Sequence, residues 1–400
     1  MLKRLHVHVD AATWPPGVSP PPGLMPASGV SQINILDMML CIGVLSLPVT
    51  ASAITLNAWW AWLRYACAFS SSNDFVLASA YRDLDSHQKT ILSDDFGMGV
   101  ALTHVIPALG LRGVCDGRYF IQRIAPDISA RAARIAKNGQ FKSPDFVGID
   151  ANGKWHLLEC KGTQVDFNRP GQMQTGRLQK SNIIFPPGLA GEKLISGLMI
   201  GFEDRGPPSS LLIEDPDGDI NFKIDERLIP AAREAMDRGT IARLLGAVGL
   251  YHAASIIASP HGINAYDRPS ENLRNVGKRE QARRALIAAK HTAAVSEIAD
   301  LSDRKVIFLG EGRLGWSRRA ELEFPAIMVV DGASYSSAVI QFEVSDALLN
   351  TVNEIAERSR PNSAEAFASF ELGGFTTEGD RSTRTLHIGE IFKASIELLP

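Results

Sequence analysis

The chain is poor in cysteine and has little net charge. Its four cysteines, Cys41, Cys67, Cys115 and Cys160, are scattered, with no CxxC pair and no zinc-ligand spacing. That excludes a disulfide-framed secreted module and a structural zinc site. It points instead to reduced, mostly buried thiols in a cytoplasmic protein. The nine histidines form no ligand cluster: His6 and His8 share a face if HVHVD is a strand, and His156 falls near the end of a hairpin. No internal repeat is present. With 41 Lys and Arg against 44 Asp and Glu, the net charge is -3, so the chain lacks the basic excess of a protein that coats nucleic acid. An apolar content of 45% and a charged content of 21% are those of a globular protein, and the length suggests about two to three domains.

The most informative stretch is SPDFVGIDANGKWHLLECKG, in which Asp145 leads one apolar run and Glu159 and Lys161 end the next. Both runs have strand length, and Ala151-Asn152-Gly153 between them reads as the connection of a β-hairpin. A two-residue Asn-Gly turn would pair Asp145 with Cys160 and put the acid on the face opposite Glu159 and Lys161. A three-residue loop, with Gly153 left-handed in a bulge, pairs Asp145 with Glu159. Glu159 and Lys161 share a face in either case, because side chains alternate with period two. The longer loop gathers all three groups and is the expectation. Two carboxylates suit a hard cation such as Mg2+ or Mn2+, which keeps several waters when few carboxylates bind it. A metal-bound water becomes a nucleophile near neutral pH, and a lysine offers a compact positive charge to a phosphate. A charged surface hairpin is the simpler reading of the same residues.

Pro144-Asp145 followed by Glu159-Cys160-Lys161 resembles the signature of the PD-(D/E)XK nuclease superfamily, the restriction-endonuclease-like fold. The resemblance implies that Asp145 and Glu159 bind the metal, that Lys161 positions or activates the water, and that the Cys160 carbonyl adds a contact. It also implies an αβββαβ core. The element order agrees: a helix over residues 79–106, a strand near 117–124, the hairpin, a helix over 170–181 and a buried strand near 194–202. The first helix carries Leu84, Ile91, Met98, Leu102 and Val105 on one stripe, with Asp95 at its centre. The superfamily often places a further acid on this helix, which makes Asp95 the third candidate metal ligand and Asp94 the second choice. Alternatively, the helix breaks near Phe96-Gly97 and one of these acids caps a second helix.

Nucleic-acid contacts are expected from local charge. Residues 126–180 hold nine Lys and Arg against five acids, and residues 274–290 hold six against Glu280 alone. On a helix the second group would form a basic stripe able to meet phosphates, with Arg279 and Arg283 in it. Gln172, Gln179 and Lys180 on the 170–181 helix are further candidates, although a solvated helix face explains each of them.

The expected architecture is α/β, in three parts. Residues 1–75 form an N-terminal extension with a proline-rich stretch and apolar helices. Residues 76–222 form the αβββαβ restriction-endonuclease-like core, and residues 223–400 an α+β domain. The uncharged run 38–63 is long enough for a membrane span, but Pro48, Asn57 and its Ser and Thr residues favour a buried helix pair. Residues 310–315 spell GxGxxG, yet Pro325 leaves little room for the helix a dinucleotide site needs, so a glycine-rich turn is expected. The function expected is metal-dependent hydrolysis of phosphodiester bonds, with DNA as partner and a homodimer admitted. The alternative is an inactive nucleic-acid-binding module on the same fold.

Overall fold

In a computed structural model of the protein, the described residues are 1–46, 49, 67–121, 143–180, 183–216, 224–258, 276–301, 305–307, 314–330, 332–357 and 372–400. The chain is mixed α/β. Strands β1 (Leu2–Val9) and β2 (Val30–Asn34) lead to helix α1 (Ile35–Leu45). After the short strand β3 (Val76–Leu77) comes helix α2 (Ser86–Leu109). It is followed by β4 (Leu111–Asp116), β5 (Phe146–Asp150), β6 (Trp155–Thr163), helix α3 (Arg169–Lys180), β7 (Ala190–Met199), β8 (Gly201–Phe202) and β9 (Ser210–Glu214).

Six of these strands and β2 form one sheet in the order β2-β1-β9-β7-β6-β5-β4. Strand β5 runs antiparallel to both β4 and β6, and β7 lies parallel to β6, reached through helix α3. The order from α2 to β7 is therefore helix, three strands, helix, strand. Two elements fall elsewhere than expected. The first strand is 111–116, because α2 ends at Gly110 and the chain turns straight into it; residues 117–121 are helical, with the Asp116 carboxylate accepting from Tyr119 N. Helix α2 starts at Ser86, where the Asp85 side chain accepts from His87 N and Gln88 N, and residues 79–83 form a separate 3-10 turn. It then runs unbroken through Phe96-Gly97.

Helices cover both faces of the sheet. Odd-numbered residues of β5 and β6, with Glu159 and Lys161, face α3: a Cβ on Gly176 would lie 3.0 Å from Ile195 and 3.2 Å from Glu159 Cγ. Helix α4 (Ile229–Ala247) packs on the same face, where Gly239 meets Cys115 and Tyr119. The opposite face belongs to α2, with α1 packed on it at Met38 and Ile42. At the crossing of α2 and β6 a Cβ on Gly162 would sit 1.7 Å from the Ser93 carbonyl oxygen, and one on Gly97 2.9 Å from the Lys161 backbone. Two facing glycines let helix and strand touch backbone to backbone.

The rest of the chain builds a second sheet. Helices α5 (Tyr251–Ala258) and α6 (Val276–Ala299) precede strands β10 (Lys305–Ile307), β11 (Leu314–Val330) and β12 (Ala333–Ser345). Helix α7 (Asp346–Glu357) and strands β13 (Phe375–Gly379), β14 (Thr383–Ile388) and β15 (Phe392–Leu399) complete it. The order is β10-β11-β12-β15-β14-β13, antiparallel throughout. The closing TRTLHIGEIF is thus a hairpin, β14 into β15, rather than one strand. Ile307 pairs with Leu314, so the GxGxxG run spans a β10–β11 hairpin connection with a strand after it. Residues 308–313 themselves lie outside the described residues.

The expected part boundaries cut across shared structure. Residues 2–34 supply β1 and β2 to the main sheet, with Leu5 and Val7 buried and His6 and His8 exposed along β1. All eleven residues of α1 are buried, and the helix touches both α2 and the second sheet. There the Asp37 carboxylate accepts from Arg384 Nε and Nη2, both at 2.8 Å. This burial accounts for the first part of the uncharged run; residues 50–66 lie outside the described residues. Among the described residues no helix is long and apolar enough to cross a membrane.

The α2–β6 crossing makes a direct prediction. Gly162→Ala has no room for its methyl and should destabilise the protein by about 1–3 kcal/mol or more. Gly171→Ala, whose Cβ would meet nothing within 4 Å, should be neutral or slightly stabilising in its helix. Urea midpoints of the two variants distinguish them, and equal midpoints would refute the close crossing.

Candidate active site

The β5–β6 turn decides what meets at the other end of the hairpin. Asp150 Oδ1 accepts from Asn152 N and Lys154 N, both at 2.8 Å. Asp150 N donates to Lys154 O at 3.0 Å, and Gly153 N to Asp150 O at 3.1 Å. Gly153 takes φ +75, the left-handed value that glycine accepts without a Cβ clash. This is the three-residue loop expected from sequence. It pairs Ile149 with Trp155 and Phe146 with Leu158, and so carries Asp145 opposite Glu159.

There the groups interlock. Asp145 N donates to Glu159 Oε2 at 3.1 Å, and Cys160 N donates to Asp145 Oδ2 at 2.8 Å. Lys161 Nζ donates to Glu159 Oε1. Gly117 N donates to Asp145 O at 3.1 Å, tying the start of β5 to the end of β4. Strand β6 continues past the start of β5, pairing with β7 from Glu159 to Thr163, and Asp145 sits at its other edge. The Cys160 N–H turns toward that edge, and its carbonyl points the same way, as both groups of a strand residue do.

The charges are held under electrostatic stress. Glu159 is fully buried, and burial, with the Asp145 charge beside it, pushes its carboxyl up to about 8 against the opposing pull of Lys161. Burial also raises Asp145, again opposed by Lys161. Burial alone would lower Lys161, but Glu159 and Asp145 outweigh it and keep the ammonium charged. The Cys160 thiol is pushed well up by burial and by both carboxylates, so it stays protonated and is no nucleophile.

The first-helix acid that enters this set is Asp94. Its carboxyl is raised by burial and lowered by Lys161, and its charge adds to the rise of Asp145. The residue as a whole is exposed, so it stands at the rim with its carboxyl end partly desolvated. The preference for Asp95 is corrected by helix geometry. Ser93 and Gly97 face β6; at about 100° per residue, Asp94 lies a quarter-turn aside and Asp95 half a turn away. By the same spacing Asp95 belongs to the helix side of Gly99, four residues on, which packs on Met38 and Ile42 of α1. The stripe misled because α2 is buried on several sides: Leu92, Phe96 and Val100 are buried, whereas Ile91 and Met98 are half-buried.

The other candidates are less central. Gln172 is half-buried, and its Nε2 lies 3.4 Å from Gly162 O, bracing β6 from helix α3. Gln179 and Lys180 end that helix and Arg279 and Arg283 sit on α6, but their side chains lie outside the described residues. Lys278 and Arg284 of the same basic run are exposed, and α6 packs against α5 and α7. Sequence reasoning missed Gln164, whose Nε2 donates to Ser93 Oγ at 3.2 Å and Lys89 O at 3.3 Å, locking α2 to the end of β6. It also missed the facing glycines, for which the Gly162 directly after Lys161 was the available signal.

Among the described residues no group of three or more His, Cys, Asp or Glu side chains is already arranged around a cation position. The donor set nonetheless fits magnesium, which needs one or two carboxylates and fills the rest with water. Asp145 and Glu159 adjoin, and a cation would relieve the raised carboxyl of buried Glu159. The chain matches no family model, no curated protein and no solved structure.

The stressed glutamate sets a pH dependence. Between about 4.5, its ordinary value, and about 8, folded Glu159 keeps a proton that the unfolded chain releases. The metal-free protein should therefore lose stability as pH rises across that window, with Asp145 and Asp94 acting in the same direction. Glu159→Gln should flatten the slope, and magnesium should restore stability near pH 8. Thermal midpoints at pH 5.5 and 8, with chelator or magnesium, test this; a slope unchanged by Glu159→Gln would refute it.

Proposed function

We propose that the protein is a divalent-metal-dependent nuclease that hydrolyses phosphodiester bonds of DNA on a restriction-endonuclease-like core. The observation that carries this reading is the convergence of Asp145, Glu159 and Lys161 at one end of a hairpin whose turn fixes their register. The order helix, three strands, helix, parallel strand around that hairpin supports it, as does an acid on the first helix, Asp94.

Asp145 and Glu159 would hold Mg2+ or Mn2+, with the Cys160 carbonyl and Asp94 at the rim as further oxygen donors. When bound, the ion supplies a water of lowered pKa near neutral pH. Lys161 keeps its charge because two carboxylates face it, and it can offer that charge to the attacked phosphate. In the metal-free protein Glu159 holds Lys161 in place through their hydrogen bond, and the Asp145 backbone in turn holds Glu159. Burial under α3 keeps bulk water away from Glu159, which strengthens every charge interaction in the cluster.

A catalytically inactive nucleic-acid-binding module is the second reading. Its one supporting observation is that Lys161 is engaged by Glu159, as a purely structural ion pair would be. The Asp94 charge beside Asp145 and Lys161 argues against it.

Cleavage of supercoiled, linear and single-stranded DNA with magnesium, manganese or chelator tests the proposal. The wild-type protein should cleave only with metal. Lys161→Ala should lower the rate by at least about a hundredfold yet leave magnesium binding largely intact, and Asp145→Ala should lose both. Asp94→Asn should lower the rate more than Asp95→Asn. Wild-type protein that retains DNA but does not cut it under any metal would favour the second reading. Protein that neither binds nor cuts DNA or RNA would defeat both.

A further inference from the structure

Helix α2 crosses β6 where Gly162 and Gly97 leave backbone against backbone. Such a crossing is close but smooth. Neither glycine has a side chain to interlock, so the contact itself does not fix how far α2 is turned about its axis. That angle matters for the candidate site. Asp94 follows Ser93, and its backbone N lies 3.3 Å from where a Cβ on Gly162, the residue after Lys161, would be. A side-chain carboxylate stands roughly 5–6 Å from the axis of its helix, so a turn of about 10° moves it by about 1 Å. Metal–ligand distances hold to within about 0.2 Å.

One side chain supplies the missing stop. Gln164, two residues beyond Gly162, reaches α2 with its amide: Nε2 lies 3.2 Å from Ser93 Oγ and 3.3 Å from Lys89 O. The partners fix which way the amide faces. Lys89 O can only accept, and the Ser93 hydroxyl already donates to it at 2.7 Å. Both therefore turn acceptors toward Gln164, and the nitrogen must face them. Gln164 Oε1 is left buried with no hydrogen-bond partner among the described residues.

The plain account is a brace, in which the amide adds two hydrogen bonds to the fold and nothing else. The pairing argues against it. Without Gln164 the Ser93 hydroxyl still donates to Lys89 O, so neither group on α2 is orphaned. An apolar side chain of similar size would fill the space without burying an unpaired oxygen, which is itself unfavourable. What the amide adds is direction, a two-point contact between the end of β6 and the helical turn that leads into Asp94.

We propose that Gln164 is a positioning residue for the candidate metal cluster. By holding Ser93 and Lys89 it sets the rotation of α2 that keeps the Asp94 carboxylate beside a cation on Asp145 and Glu159. The inference rests on the metal-dependent reading above and adds to it a residue that touches neither cation nor substrate.

Electron paramagnetic resonance titration of the full chain with Mn2+, which reads free manganese, tests this without reference to turnover. The wild-type protein should bind manganese saturably, and Asp94→Asn should bind it more weakly. Gln164→Leu should weaken binding about tenfold or more, the usual loss when a residue that orients a metal ligand is removed. Gln164→Asn, too short to reach α2, should do the same. In an Asp94→Asn background Gln164→Leu should cost little further, because both changes act through one carboxylate. Urea midpoints of the Gln164 variants should stay near that of the wild type. Wild-type affinity in both Gln164 variants, with or without a lowered midpoint, would overturn the inference and leave the metal cluster standing. A Gln164→Leu loss that adds in full to that of Asp94→Asn, or wild-type affinity in Asp94→Asn, would overturn the route through Asp94. Wild-type protein with no manganese site would overturn the metal cluster and this inference with it.

Discussion

Asp150 closes the β5–β6 turn by accepting from two backbone N–H groups with one carboxylate oxygen, and Gly153 completes it in the left-handed region. That local geometry determines the pairing of every residue along the hairpin. A turn shorter by one residue would place Asp145 on the other face of the sheet, away from Glu159 and Lys161, since alternation has period two. The candidate site is thus fixed by a turn at the far end of the hairpin. Register is further pinned by buried Trp155, Leu157 and Val147, which a slip would turn from the α3 face to the α2 face.

The cluster that results is costly in the metal-free protein. A fully buried glutamate beside an aspartate pays desolvation and repulsion, and Lys161 offsets only part of it. Proteins commonly keep such stress where chemistry uses it. The surrounding structure holds the groups in place: Gly97 and Gly162 bring α2 onto β6, Gln164 ties the two together, and Gly176 lets α3 close over Glu159. Helix α1 backs α2 from behind, and the Asp37–Arg384 pair joins that layer to the second sheet.

Much of this was legible in the sequence because it is written in local signals. The hairpin, its loop length and the alternation that gathers Asp145, Glu159 and Lys161 depend on neighbouring residues. So do helix α3 and strand β7. What escaped depends on tertiary packing. Helix α2 is wrapped on several sides, so its hydrophobic stripe does not mark the sheet-facing side, and Asp95 was preferred to Asp94. The joining of β1 and β2 to the main sheet is a long-range pairing with β9, which no local pattern announces. Strand β4 began earlier than expected because α2 ends without a loop, a boundary effect of one glycine.

The central claim is that Asp145 and Glu159 together hold a divalent cation. Anomalous diffraction from crystals grown with manganese tests it most directly. The account predicts a manganese peak at about 2.0–2.2 Å from carboxylate oxygens of both residues, with Glu159 Oε1 released from Lys161. Full manganese occupancy elsewhere, with the Glu159–Lys161 hydrogen bond intact and no peak beside Asp145, would contradict it.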